Sequence, residues 1–404
     1  MPGLFFAPQN LANITGRGTS GAGGTSAPFA PMLFAVDALR VLAEEIGPRP
    51  PCSEAESRAA SWCAERLGEF GYIVDVEHFS ARRDANGWFA AYLTLSCAGA
   101  LLLVPLPLVA AVLGASALVL FARDIEGRPI LRPRGAVSRN VVARPDGNTQ
   151  PRAVLMAHID SGKSLPLAHP SFAGLARPSA VALNAALIVV PFMASVAWIA
   201  EVDRELPDRL WIPSGIIAAY LAMMIGVRIH AALRAPFVAG ANDNASGVEV
   251  LMRVAAGRPE NVWFVLTGAS EAGMLGVRAF LHAHDSDVGD ALFINVNAVG
   301  AGTLTVASEE GVLWPRDAHG PLVDAAEKAG AVASSWQISP TDATALLAGR
   351  FRAASLLRTD ERGLLPHRHR STDVTTNIDE RALEDTAAAV SRILIAAPTT
   401  ERVP

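Results

Sequence analysis

Cysteine and charged residues are both scarce in this sequence. The three cysteines, Cys52, Cys63 and Cys97, fit neither a disulfide framework nor metal-ligand spacing, so we expect small buried apolar side chains. Charged residues make up 18% of the chain, and the formal net charge is −5. Because no global basic field results, nucleic acid is not an expected partner.

The N-terminal region lacks the basic segment and the long apolar run of a secretory signal. Residues 1–30 are instead rich in Gly, Ser, Thr and Pro. Such a composition buries too little apolar surface to order a chain. We therefore predict a disordered tail over residues 1–30 and no secretory signal.

Apolar residues, in contrast, make up 51% of the chain, and the mean hydropathy of +0.30 is high for a soluble protein. Residues 85–122 contain no charge over 38 positions and carry two prolines near the middle, as expected for two membrane spans of roughly 17 residues each. Uncharged runs also cover 178–200 and 210–227. We predict four transmembrane helices in two inserted hairpins, 85–122 and 178–227; buried core helices are the alternative.

Arginines near these runs indicate the orientation. Two of them, Arg204 and Arg209, lie in the polar link of the second hairpin, which also holds four acidic residues. Many more flank the hairpins on the side of the remaining chain: Arg82, Arg83, Arg123, Arg128, Arg132, Arg134, Arg177, Arg228 and Arg234. The positive-inside rule therefore predicts a multi-pass protein of a bacterial-type inner or plasma membrane, with its globular domain in the cytoplasm.

The remaining segments, 31–84, 123–177 and 229–398, read as one discontinuous domain of alternating helices and strands. Ser53 and Glu56 predict a capping box that opens a helix. Strands are predicted at 72–79, 140–144, 153–158, 261–267 and 291–296, and helices at about 245–255 and 274–282. This order predicts an α/β fold of three layers, helix–sheet–helix, with a mostly parallel sheet and a ligand site at the strand carboxyl ends.

Polar residues follow several of these strands. His158 and Asp160 end one strand, Glu271 and Asn297 follow two others, and Asp243 lies in a Gly/Asn-rich turn before a helix. His367 and His369 come near the C-terminus. Imidazoles and carboxylates from separate strand ends are the ligand types that bind zinc. Taken singly, a histidine after a strand is more often structural, and Asp243 could be a helix cap.

Three segments give a more specific indication: IGPRPPCSEAE from residue 46, GANDNASG from residue 240 and HRHRSTDVTTNID from residue 367. With these, the chain resembles peptidase family twenty-eight of the metallopeptidases, the leucyl aminopeptidase and glutamate carboxypeptidase group. The resemblance covers 46–53, 72–79 and about 140–388, without the hairpins. It implies a zinc-exopeptidase-like fold and a peptide substrate.

The resemblance also implies roles for single residues. His158 would bind one zinc, Asp243 would bridge two, and Glu271 with His369 would complete the second site. Asp160 would orient His158. Asp342, in SPTDATALL, resembles a position that shapes the substrate pocket, although a helix cap would look the same.

Two positions depart from the family pattern. Ser270 stands where the family has its general base, and Asn297 stands where it has a metal-binding Asp. With the carboxylates of Asp243 and Glu271 alone, two zinc ions and a hydroxide leave a formal charge of about +1. We therefore expect one or two zinc ions, or none, and leave open whether Glu309 or Glu310 replaces the base.

Three functions remain open at this point. The first is a membrane-anchored zinc peptidase of the exopeptidase or aminopeptidase type, and the second is a catalytically inactive membrane protein that binds a peptide through the same fold. The third, a nucleotide-binding phosphate loop at 157–164, is opposed by Pro166 and Pro170 where a helix should begin. The expected partners are a peptide and the lipid bilayer, and the sequence leaves the oligomeric state open.

Overall fold

A computed structural model describes residues 37–131, 135–147, 150–165, 168–200 and 209–397. The predicted tail over residues 1–30 lies outside the described residues.

Nine strands of the described chain form one sheet. They are β1 Ile73–Ala81, β2 Ala136–Arg144, β3 Ala153–His158, β4 Val262–Thr267, β5 Leu292–Val296, β6 Thr303–Glu310, β7 Arg316–Asp317, β8 Val332–Trp336 and β9 Arg352–Thr359. Their order is β1-β2-β4-β3-β5-β9-β6-β7, and β8 pairs with β6. The four central strands, β4, β3, β5 and β9, are mutually parallel, whereas β1, β2, β6 and β7 are joined by antiparallel pairs. The predicted parallel sheet is thus confirmed in the centre, and the whole sheet is mixed.

Helices cover both faces of this sheet. Outside the hairpin regions they are α1 Ala38–Arg40, which continues as a π-helical turn Val41–Ile46, α2 Glu54–Glu69, α7 Ser246–Ala256, α8 Leu275–Val288, α9 Gly320–Lys328, α10 Asp342–Ala348 and α11 Glu380–Ala396. Leu155 belongs to an apolar cluster with side chains of α1, α2, α7, α9 and α11, and its neighbour Met156 belongs to a second cluster with side chains of α8 and α10. Successive side chains of a strand point to opposite faces, so the central strands are apolar throughout.

Only half of the predicted capping box forms at α2. The hydroxyl of Ser53 accepts the N–H of Glu56 at 3.1 Å. The Glu56 carboxylate does not return this bond but accepts the N–H groups of Cys52 and Ala269, both at 2.9 Å, and the hydroxyl of Ser138 at 2.8 Å. This buried carboxylate thus ties α2 to the loop that follows β4.

Four apolar helices occupy the predicted hairpin regions: α3 Asn86–Leu102, α4 Pro107–Ile125, α5 Ala176–Ile199 and α6 Trp211–Leu233. Within the described chain, α4, α5 and α6 are long and apolar enough to cross a membrane, whereas α3 has 17 residues. The helices pack together through side chains that include Leu93, Phe121 and Leu187. At Gly114 a Cβ atom would lie 3.0 Å from Pro191 of α5, so a small residue is needed at this close approach.

Candidate metal centre

Three of the predicted site residues lie at one edge of the sheet. His158 is the last residue of β3, Glu271 follows β4, and Asn297 follows β5. These strands are adjacent and parallel, in the order β4-β3-β5. Their carboxyl ends therefore meet at the same edge, where the site was predicted.

The two ring nitrogens of His158 contact three other predicted site residues. Its Nε2 lies 3.3 Å from Asp243 Oδ1 and 3.1 Å from Asn297 Oδ1. Its Nδ1 lies 3.0 Å from the backbone oxygen of Asp160. Burial alone would lower the pKa of His158, but hydrogen bonds to Asp160 and Asp243 raise it well above the usual value. The imidazole is thus held by negative partners on both ring nitrogens.

Asp160 holds the neighbouring loop as well as the imidazole. Its carboxylate accepts the N–H of Ser270 at 3.2 Å and the N–H of Glu271 at 2.8 Å. It also lies 3.4 Å from His158 Nδ1. The loop after β4 is therefore fixed relative to His158 by a single buried carboxylate.

The turn with Asp243 is held by residues that sequence reasoning missed. Asp373 accepts the N–H of Asn242 at 2.5 Å and that of Asp243 at 3.4 Å. Burial, followed by the charge of Asp243, raises the pKa of Asp373 to about 7. The alternative of Asp243 as a helix cap is wrong, because Asn244 accepts the N–H of Gly247 at 3.1 Å.

His369 and Glu271 form the second part of the centre. His369 Nε2 lies 3.4 Å from Glu271 Oε2 and 3.8 Å from Asp243 Oδ2. Its Nδ1 bonds the backbone oxygen of Lys163 at 2.7 Å. Gly162 makes this packing possible, because a Cβ atom there would lie 2.4 Å from the His369 ring. His367 points elsewhere and bonds Thr372.

Arg368, between the two histidines, was not singled out from the sequence. Its Nε donates to Asp243 Oδ2 at 2.9 Å, and its Nη2 lies 3.8 Å from Glu271 Oε1. Its Nη1 donates to the hydroxyl of Ser339 at 2.9 Å. A permanent cation therefore contacts both carboxylates of the centre.

Ser270 is engaged by Asp342. The Ser270 hydroxyl donates to Asp342 Oδ1, and the Thr267 hydroxyl donates to Asp342 Oδ2. Burial raises the pKa of Asp342, and the nearby Asp160 adds to this shift. Asp342 is not the cap of α10, since that position belongs to Thr341. Its carboxylate instead holds the hydroxyl of Ser270.

The two glutamates left open as substitute bases lie outside the centre. Glu309 accepts hydrogen bonds from the exposed Ser335 and Gln337. Glu310 is buried and accepts the hydroxyl of Thr341 at 2.6 Å. In the described chain neither residue lines the cavity at the centre.

The remaining donors fit a zinc ion. His158, Asp243 and Glu271 each offer a ligand atom, and these atoms lie within 4.8 Å of one another. His369 adds a second imidazole next to Glu271. Nitrogen and carboxylate oxygen are donors that zinc accepts.

Sequence comparison agrees with this geometry, because residues 226–394 match the model of peptidase family M28. Over these residues the chain is similar to peptidase family M28. None of the curated proteins compared with it matches in sequence. The matched segment contains Asp243, Glu271, Asn297 and His369, whereas His158 lies before it.

Solved structures agree on the M28-type fold. A Zn-dependent exopeptidase from Parabacteroides distasonis is 16% identical, with 90% of this chain and 99% of that chain covered and a TM-score of 0.51. An aminopeptidase from an Aneurinibacillus species is 14% identical, with 90% of this chain and 92% of that chain covered and a TM-score of 0.51. A glutaminyl cyclase from Bacteroides thetaiotaomicron, bound to N-acetylhistamine, is 15% identical, with 89% of this chain and 97% of that chain covered and a TM-score of 0.50. At these identities the likeness shows the fold.

The M28-like centre opens into a cavity of about 340 Å³. One wall carries His158, Glu271 and Arg368. The cavity is also lined by residues of the four apolar helices α3 to α6, namely Phe89, Phe121, Leu183, Met224 and Arg228. Residues of all four apolar helices α3 to α6 therefore line the cavity at the candidate centre.

The phosphate-loop interpretation of 157–164 is wrong. Lys163 does not face an open loop, because its Nζ donates to the backbone oxygens of Ala231 and Ala232 at 3.0 and 2.8 Å. Its Nζ also lies 5.1 Å from the centre of the Phe237 ring. The lysine thus binds the carboxyl end of α6.

Proposed function

We propose that the chain is a membrane-anchored, zinc-dependent hydrolase of peptides, of the exopeptidase or aminopeptidase type, with a modified metal site. The convergence of His158, Asp243 and Glu271 at one sheet edge carries this proposal. The match of residues 226–394 to family M28 supports it independently.

The residues present would hold zinc through His158, Asp243 and Glu271, with His369 beside them. Bound zinc supplies a Lewis acid and lowers the pKa of a coordinated water. The protein keeps the imidazole of His158 oriented by Asp160 and excludes solvent by burying the centre. Both the orientation of His158 and the exclusion of solvent follow from contacts that the described residues already make.

The modified position Ser270 limits the rate we expect. A serine hydroxyl is a poor general base at neutral pH, and this one already donates to Asp342. Loss of a general base typically lowers the rate by about 10²–10⁴-fold. We therefore propose slow turnover, with Asp342 as the carboxylate nearest to the missing base.

A second candidate is a catalytically inactive protein that binds a peptide through the same pocket. Ser270, Asn297 and the contact of Arg368 with Asp243 favour it. Hydrolysis of short peptides by the wild type and by the Ser270→Glu/Asn297→Asp variant separates the two. Activity in the variant alone would support the inactive protein, and metal-dependent activity in the wild type would exclude it.

The hairpins 85–122 and 178–227 would anchor the chain, with 31–84, 123–177 and 229–398 as one domain beside the bilayer. Outward apolar side chains support this, because Phe192 is 68% and Ile212 is 76% exposed. With the cytoplasmic orientation, a cysteine introduced at the exposed Glu361, in a chain whose native cysteines are replaced by serine, should be labelled in inside-out vesicles by an impermeant maleimide. Labelling only in right-side-out vesicles would overturn it.

The cavity supports a class of substrate. Its wall of hairpin helices is largely apolar and lies beside the proposed bilayer. We propose membrane-proximal peptides with an apolar residue near the reacting end. Replacing Phe89 by Ala should then weaken binding of such peptides more than binding of polar ones, and an equal effect on both would contradict this.

A further inference from the structure

The guanidinium of Arg368 contacts one oxygen atom of the Asp243 carboxylate and one of the Glu271 carboxylate. Asp243 Oδ2 accepts its Nε at 2.9 Å, while Asp243 Oδ1 faces His158 at 3.3 Å. Glu271 Oε1 lies 3.8 Å from its Nη2, while Glu271 Oε2 faces His369 at 3.4 Å. Each carboxylate thus has one oxygen toward the guanidinium and one toward an imidazole, and Asp243 Oδ2 also lies 3.8 Å from His369 Nε2.

The guanidinium is held in this position. Its side chain is 21% exposed, and the hydroxyl of Ser339 accepts its Nη1 at 2.9 Å. The neighbouring His369 is anchored to Lys163. A guanidinium keeps its charge at any pH at which proteins fold. The centre therefore contains a fixed positive charge supplied by the chain itself.

Formal charges at the contacting atoms show what this cation does. Asp243 and Glu271 supply two negative charges, and Asn297 is neutral. One zinc with a bound hydroxide and Arg368 would leave the centre at about zero, whereas two zinc ions would leave about +2. The carboxylates of Asp160 and Asp373 are left out of this sum because they accept hydrogen bonds from backbone N–H groups of the surrounding loops.

We propose that Arg368 takes the place of a second metal ion, so that the centre binds one zinc through His158, Asp243 and Glu271. This inference rests on the proposed zinc-dependent function. It assigns Arg368 as a positioning residue that sets the number of metal ions by occupying one oxygen of each carboxylate.

The test is zinc per chain by elemental analysis of detergent-purified protein equilibrated with a fixed excess of free zinc. The wild type should hold about one zinc, and Arg368→Met should hold about two, because removing the cation should tighten a second site by at least about ten-fold. Arg368→Lys keeps the charge and should stay at one. Arg362→Met, an exposed arginine in the same segment, should also stay at one.

The outcomes separate this inference from the proposed function. Two zinc ions in the wild type, or one in both the wild type and Arg368→Met, would overturn the inference and leave a metal-dependent hydrolase intact. No zinc in the wild type but one in Arg368→Met would overturn the one-zinc centre and the hydrolase together. No zinc in either protein would overturn both. Arg368→Gln, checked for cooperative unfolding, replaces Arg368→Met if that variant does not fold.

Discussion

Arg82 and Asp124 form a buried ion pair that joins the end of β1 to the end of α4. Arg82 Nη1 donates to Asp124 Oδ2 at 2.7 Å, its Nη2 donates to Asp124 Oδ1, and the Tyr92 hydroxyl of α3 donates to the same carboxylate at 2.8 Å. Arg82 Nε also donates to the backbone oxygen of Ala272 at 2.6 Å. The first hairpin is thereby tied to the loop that carries Glu271.

Breaking this pair should destabilise the protein strongly. Asp124→Asn leaves the buried guanidinium of Arg82 without its counter-ion, which typically costs about 3–5 kcal/mol. The matched change Asp75→Asn removes an exposed partner of Arg144 and should cost less than about 1 kcal/mol. Chemical denaturation in detergent measures both free energies of unfolding. Equal losses in the two variants would contradict a structural role for the pair.

Glu56 should make stability fall as the pH rises. Burial raises its pKa to about 7, from an ordinary value of 4.5, although three donors favour the charged form. The folded state therefore binds the proton more tightly than the unfolded state. The stabilising contribution is complete below pH 4.5, declines as the pH rises, and is lost above about pH 7.

Replacing the carboxyl group of Glu56 tests whether its contribution to stability falls as the pH rises. Glu56→Gln stays neutral, so the part of the decline between about pH 4.5 and 7 that is due to Glu56, up to about 3 kcal/mol, should disappear. Glu54→Gln, at the exposed side of the same helical turn, should keep the wild-type slope. Unfolding free energies at four or five pH values provide the measurement. An unchanged slope in Glu56→Gln would show that Glu56 is ionised in the folded protein.

Much of the site could be predicted because strand ends are visible in sequence. Apolar runs mark β3, β4 and β5, so the positions of His158, Glu271 and Asn297 at one edge followed from the parallel order. Asp243 and His369 came from motifs that resemble a known family. The direction of β1 and β2 depends on tertiary pairing over long sequence distances, and periodicity does not reveal it.

The rest depends on contacts that no local pattern encodes. Arg368 reaches Asp243 across 125 positions, and Ser270 reaches Asp342 across 72. An arginine between two histidines is equally compatible with an exposed loop. The hairpins were visible as uncharged runs, but their contribution to the cavity depends on how they pack against the sheet.

The most direct test of the account is the rate at which the purified chain releases the N-terminal residue of a short apolar peptide. The rate should be slow, should fall to background on chelation, and should return with zinc. His158→Ala should abolish it, whereas His78→Ala, at an exposed position of β1, should not. Hydrolysis that survives both chelation and His158→Ala, or no hydrolysis at all with zinc restored, would contradict a zinc-dependent peptidase at this centre.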